Sequence, residues 1–421
     1  MNREQGTGNT TEGKYSLLIA HCSLFIVDYD TDFGRDRATI GCKIDLNKSM
    51  VGYLVFLTIS VGLFALFALG LNLQWGYTGL INFGHVAFMT VGAYATVLLS
   101  ALGVPLIIAV LAGAAISSLL GLLIGISTLR LREDYLAIVT IGVSELLRLI
   151  ALNEEWLTKG AFGIQRYPLP LDGFDPSLWQ KYLAIAILTL LAIFAVAQLW
   201  QGLRKQRQEG KEIQGKSYQP TKLIGSIVWG IIGLALILTL YINGCIALLD
   251  YNYKAGLMLL VLLTVAVVYW GLQLLVHSPW GRVLKAIRED EEIPRALGKN
   301  VFWYKLQAFM LGGAIAGIAG AFYAWQLTTV YPSNFEPLVT FNAWTMVVLG
   351  GAGNNAGTLL GVVIFWAYDA LTRFYLPKLG LLSSADLGAF RIMVIGLILM
   401  ILMVWRPQGI LGKKEELTLG K

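Results

Sequence analysis

Charge is scarce in this chain: Asp, Glu, Lys and Arg make up 14% of 421 residues, while 56% are hydrophobic and 46 are glycine. Cysteine is scarcer still. Cys22, Cys42 and Cys245 are scattered and lack the spacing of a metal site. The three histidines do not cluster with cysteines or paired carboxylates at catalytic spacing, which argues against a membrane enzyme, and no catalytic or metal-ligating residue is assigned. Acidic groups are rare inside the apolar runs, whereas a proton- or sodium-driven carrier usually needs several at mid-membrane.

What is abundant is long apolar sequence. A mean hydropathy of +0.66 exceeds what a water-soluble core absorbs. The expected fold class is all-α, a polytopic membrane protein. With about 20 apolar residues needed per crossing, ten spans are expected, at 51–71, 83–102, 105–129, 135–152, 181–200, 223–242, 253–276, 303–327, 357–374 and 387–405. The stretch 338–349 is apolar but too short to cross alone, and is a candidate half-helix. Residues 50–412 form the membrane domain. Residues 1–49 make a polar extension expected to have little fixed structure, and 413–421 form a tail.

The net charge of +6 speaks of orientation in a membrane rather than of nucleic acid. Basic residues fill the connection from Arg204 to Lys222, the stretch from Arg282 to Lys305 and the tail from Arg406, and all three belong in the cytoplasm. The loop 153–180 fits the outside. The N-terminus then lies outside if 338–349 completes a crossing, and a re-entrant segment at 72–84 would reverse that. One apparent nucleotide motif, GKEIQGKS at 210–217, matches the phosphate-loop pattern. A true phosphate loop follows a buried strand and opens a helix. Here it lies in a polar connection with no room for a sheet, so ATP would have to be bound by another subunit.

Two glycine-rich interruptions, GLNLQWGYTGLINFGHVAFMTVGAY (70–94) and LGGAGNNAGTLLG (349–361), stand out. Backbone groups at membrane depth need partners, so irregular backbone survives there only beside protein or a water-filled cavity. Broken helices beside a pathway are expected, with Asn82, Gly84, His85, Gly350, Gly351, Asn354 and Asn355 as pathway candidates. Close helix packing through small residues is the plainer alternative. Among charges within spans, Glu145 and Arg148 share a helix face and are expected to pair. Asp369 and His85 lack an obvious local partner.

Between two apolar runs lies a hydrophilic island, SPWGRVLKAIREDEEIPRALGKNVFWYKLQAF (278–309). Glu289, Asp290, Glu291 and Glu292 precede Pro294, and Gly298 follows Arg295. That order predicts a helix of about two turns with acids at its positive end and glycine as its stop. Ile293, Ala296 and Leu297 form an apolar face that needs a surface to pack on. The alternative is a solvated loop on lipid headgroups.

Three blocks, Gly70 to Tyr94, His277 to Ala324 and Val347 to Gly361, in that order and spacing, resemble those of the LivM-type permeases of ABC importers for branched-chain and other neutral amino acids. The likeness covers about residues 50–412 and extends to the cyanobacterial neutral amino acid permeases. It implies a multi-pass subunit of a bacterial inner membrane, with a cytoplasmic C-terminus, paired with a LivH-like permease. Two cytoplasmic ATPase subunits would bind ATP, and an extracytoplasmic binding protein would deliver the amino acid. The chain itself would hold no cofactor. The part of the island from Arg282 to Lys299 would be the coupling helix seated on an ATPase, and the broken segments would line the path. Urea transport, also found among such permeases, and an ion-coupled carrier remain as alternatives.

Overall fold

A computed structural model describes residues 35–130, 133–212, 220–379, 384–405 and 408–412. The chain divides into two compact units, Met1–Tyr53 and Leu54–Lys421. In the first, the described part is helical from Arg35, inside the stretch expected to lack fixed structure. The rest of the extension, the core of the phosphate-loop match and the last nine residues lie outside the described residues.

The helices are α1 (Arg35–Leu71), α2 (Val86–Ala101), α3 (Leu106–Thr128), α4 (Glu133–Asn153), α5 (Leu178–Glu212), α6 (Pro220–Leu249), α7 (Tyr253–His277), α8 (Pro279–Glu289), α9 (Glu292–Ala296), α10 (Val301–Leu327), α11 (Pro337–Gly350), α12 (Asn355–Tyr375) and α13 (Ser384–Trp405). Short turns interrupt them. Among the described residues six helices are long and apolar enough to cross a membrane, or seven if the bent pair α11–α12 counts as one span. Ten were expected from composition. The difference lies in α2 and in the described parts of α6 and α13, which are apolar but shorter, and in α12, which counts toward a span only together with the half-helix α11, from which it bends by 118°.

The centre of the second unit is α10, packed against α2 and α3. Small residues set that approach: a Cβ on Gly92 of α2 would lie 2.3 Å from the Cα of Gly317 on α10, so the two backbones touch as only glycines allow. Phe67, Phe88 and Phe309 are fully buried around this contact, and the Phe88 and Phe309 rings meet edge to face at 5.5 Å. From Leu54 onward α1 joins the same core. Gln326 on α10 donates to the Phe56 carbonyl at 3.1 Å and to the Ser60 hydroxyl at 2.6 Å. By contrast, α5 leaves nearly all of its apolar span exposed, as a helix facing lipid does.

One end of α10 carries the polar island and the other a small ribbon, about 40 Å apart at 1.5 Å per residue. In the ribbon, Ile164–Gln165 (β1) pairs antiparallel with Thr329–Val330 (β2), Ile164 facing Val330. The Tyr167 hydroxyl donates to the Ala324 carbonyl at 2.5 Å, and burial pushes this phenol above its ordinary range. These contacts hold the loop after α4 against the end of α10 and the residues that follow it.

Candidate functional site

The first break follows from polar side chains arriving in an apolar helix. After Leu71 the chain widens into a π-helical turn, Asn72–Gly76, and does not resume α-helix until Val86. Buried amides without partners are costly, and here they are satisfied across the fold. Gln74 Nε2 donates to the Phe309 carbonyl on α10 at 2.8 Å, while its Oε1 accepts from Asn82 Nδ2 at 2.8 Å. Asn82 Oδ1 then accepts from the Gly84 amide at 2.9 Å, and the Asn82 carbonyl accepts from the Trp344 indole at 3.0 Å. The new helix α2 starts with its Val86 amide on the Thr340 hydroxyl of α11, 2.9 Å away.

The second break is the 118° bend between α11 and α12. Asn354 caps α12, its Oδ1 accepting from the Ala356 and Gly357 amides at 3.0 and 3.3 Å. Its Nδ2 donates to the Leu411 carbonyl at 2.9 Å. The Ile410 and Leu411 amides in turn reach the Leu349 and Gly350 carbonyls, so the segment after α13 braces the elbow.

A single side chain ties the two breaks together. Asn72 Nδ2 donates to Asn355 Oδ1 at 3.1 Å, and Asn72 Oδ1 accepts from the Gly353 amide at 2.9 Å. A Cβ on Gly76 would sit 2.0 Å from Asn72 Oδ1, which is why glycine ends the π turn.

The island differs from its expected form. Its main element is α8, an 11-residue helix that buries Leu284 and Ile287 and precedes the short helix read from the acids and Pro294. The expected two-turn helix is the single turn α9. Glu289 ends α8, Asp290 is extended, and Glu291 stands before the first residue of α9. An Asp290 side-chain bond to the Glu292 amide, 2.9 Å, breaks the path between the two helices. Pro294 is buried, Arg295 pairs with Glu292 at 2.7 Å, and Gly298 adopts the left-handed conformation that stops the turn. Glu291 also pairs with Lys305 of α10. Ile293 and Leu297 remain 57% and 74% exposed, and Ala296 is exposed beside them.

Inward, the island grips the first break. Arg288 Nη1 donates to the Gly76 carbonyl at 2.5 Å. Lys285 lies 5.7 Å from the centre of the Tyr77 ring. The polar island and the broken helix are therefore one connected structure.

Of the pathway candidates, Asn82, Gly84, His85, Gly350, Gly351 and Asn355 are buried and Asn354 is half-buried. His85 Nε2 lies 3.2 Å from the Phe67 carbonyl, while its Nδ1 and the Asn355 Nδ2 are buried without a hydrogen bond among the described residues. Asn82 meets Gly84, and Asn354 caps the helix that Asn355 opens. The residues that join the breaks to each other and to the island are ones sequence reasoning passed over: Asn72, Gln74, Thr340 and Arg288. The amides of Asn72 and Gln74, standing in an apolar run, were the available signal.

Other charges are paired. Arg148 holds Glu145 through Nε at 2.9 Å and Nη2 at 2.6 Å, as expected. Asp369, expected to lack a local partner, binds Arg373 one turn on at 2.8 Å and Arg391 of α13 at 3.3 Å. No group of three His, Cys, Asp or Glu side chains among the described residues is placed to hold a metal ion.

An all-α chain of apolar spans, with two tied breaks in its centre and a polar helix clamped on one of them, is a multi-pass membrane permease. The pattern of the family described as "Branched-chain amino acid transport system / permease component" matches residues 53–201 and 177–403, and the chain belongs to that family. It is 29% identical over 355 residues to the high-affinity branched-chain amino acid permease LivM of Salmonella typhimurium, covering 83% of this chain and 68% of that protein. A probable LivM of Methanocaldococcus jannaschii is 25% identical over 366 residues, covering 85% and 92%. The LivH permease of Salmonella typhimurium is 30% identical over 139 residues, 33% of this chain and 42% of that one. No solved structure matches the chain.

Proposed function

We propose that this chain is the LivM-like subunit of an ATP-driven importer for neutral, hydrophobic amino acids. It works beside a LivH-like permease, two cytoplasmic ATPase subunits and an extracytoplasmic binding protein. The observation that carries the reading is the bond from Arg288 to the Gly76 carbonyl. It couples a helix that offers Ile293 and Leu297 to a missing surface with the broken helix at the centre of the fold. In this reading α8 and α9 sit in a groove of an ATPase on the cytoplasmic side, with the ribbon outside. Closure of the ATPase dimer moves α8, Arg288 carries the movement to the π turn, and the tied breaks shift together. ATP favours one arrangement and its hydrolysis releases it, a population shift rather than a push.

The backbone groups and amides that hold the breaks together would, once the breaks part, suit a polar substrate head without buried protein charge. Asn82, Gly84, His85, Gly350, Gly351, Asn354 and Asn355 are closed off in the described state and would meet substrate once the breaks part. The test is uptake by cells carrying the whole operon, with labelled leucine competed by other amino acids and by urea. Saturable, ATP-dependent leucine uptake that urea does not displace supports the reading. Uptake of urea alone, or uptake that follows an ion gradient without an ATPase, overturns it.

A further inference from the structure

Glu145 and Arg148 sit in α4 about 12 and 7 Å along the helix from its end at Asn153, within a span by length and composition. Their side chains are 38% and 20% exposed. An ion pair on an open face at that depth does not belong against lipid; such charges face a protein partner or a water-filled cavity.

The geometry of the pair leaves one edge of the guanidinium open. Glu145 occupies the edge formed by Nε and Nη2. The edge between Nη1 and Nη2, the other fork that matches a carboxylate in two parallel bonds, has no hydrogen-bond partner among the described residues. A second carboxylate stands on the same side: Glu336 is exposed between the Pro332–Phe335 turn and α11, both of which pack against α4. A zwitterion with its carboxylate on the open Arg148 edge and its ammonium toward Glu336 satisfies every group at once.

We propose that Arg148, Glu145 and Glu336 form an entry site for the charged head of an α-amino acid. This rests on the importer reading and deepens it. Glu145 orients the guanidinium, Arg148 takes the carboxylate, and Glu336 takes the ammonium. The site lies at the ribbon end of the molecule, where a binding protein would release its cargo, and at the opposite end from the island. Uncharged urea has nothing to gain from it, so the trio also favours amino acids over urea.

The test uses the complete transporter in proteoliposomes with saturating leucine-loaded binding protein. For Arg148→Gln, leucine import is expected to fall about ten- to a hundred-fold, the range for a lost charged hydrogen bond, while ATP hydrolysis stimulated by the loaded binding protein persists. Glu336→Gln, at an exposed position, is expected to lower import several-fold with assembly unchanged. The exchange Glu145→Arg with Arg148→Glu restores an ion pair but not the site, so import stays low. Recovery by the exchange, or normal import in Arg148→Gln, shows that the pair only holds α4 in place and overturns the proposal alone. A wild-type complex that imports urea and no amino acid overturns the importer reading and this site together.

Discussion

Arg288 and Gly76 are 212 residues apart in the chain, yet Nη1 of one donates to the carbonyl of the other at 2.5 Å. The Gly76 carbonyl lies where a helix has ended and its oxygens have lost their own donors. A cation supplied from α8 satisfies it. Only Asp290 and Glu291 separate α8 from the exposed turn α9, and the Asp290 side chain bonds the Glu292 amide, so a displacement at the surface has a short path to the break.

Replacing Arg288 with Ala is expected to uncouple the two. Loss of a charge-assisted hydrogen bond is worth about 1.5–3 kcal/mol, or roughly a ten- to hundred-fold drop in uptake, while the ATPase subunits still co-purify. The measurement is amino acid imported per ATP hydrolysed in proteoliposomes. An unchanged ratio counts against the coupling role.

Asn72→Leu removes both bonds between the breaks, stranding the Gly353 amide and the Asn355 carbonyl oxygen of its side chain. Each buried group left unsatisfied costs about 1–3 kcal/mol. Thermal unfolding in detergent should therefore begin several degrees lower, with α-helix content unchanged at low temperature.

Gly92→Val drives a side chain into the Gly317 backbone and separates α2 from α10. Overpacking of this kind costs about 1–3 kcal/mol or more, and little folded protein should be recovered on gel filtration. Gly142→Ala is the control. It meets nothing within 4 Å and should express as wild type.

At the docking surface, Leu297→Asp or Ala296→Arg should abolish ATPase co-purification and ATP-dependent uptake while membrane insertion continues. Gly298→Glu should do the same by straining a backbone held at φ 73°. Normal co-purification in all three would place the ATPase elsewhere.

Lys216→Ala should leave nucleotide binding by the isolated subunit, and uptake by the complex, unaltered. Nucleotide binding that depends on Lys216 would mean that GKEIQGKS is a genuine site.

The contrast between what was legible and what was not runs along physical lines. Glycine clusters marked both breaks because a helix cannot persist through LNLQWGYTG or GGAGNNAG without losing cohesion. The Glu145–Arg148 pair was readable because its partners stand three residues apart on one face. The island was seen as polar, but α8 was missed: its helix is stabilised by burying Leu284 and Ile287 on a core that local pattern does not display. The half-helix α11 and the longer α12 were legible as apolar runs of different length, but the 118° bend between them was not, because run length carries no angle.

Local composition by itself determined the class of this protein, the places where its helices break, and the polar segment that stands apart from them; the family came from the likeness of whole sequence blocks. Apolar run length, glycine density and charge are properties of neighbours in the chain. Only the tertiary structure decided that Asn72 ties one break to the other and that Arg288 ties the island to the first. A hydrogen bond forms between whichever groups packing brings to about 3 Å, and partners separated by 212 to 283 residues are chosen by the close approach of helices, not by sequence spacing.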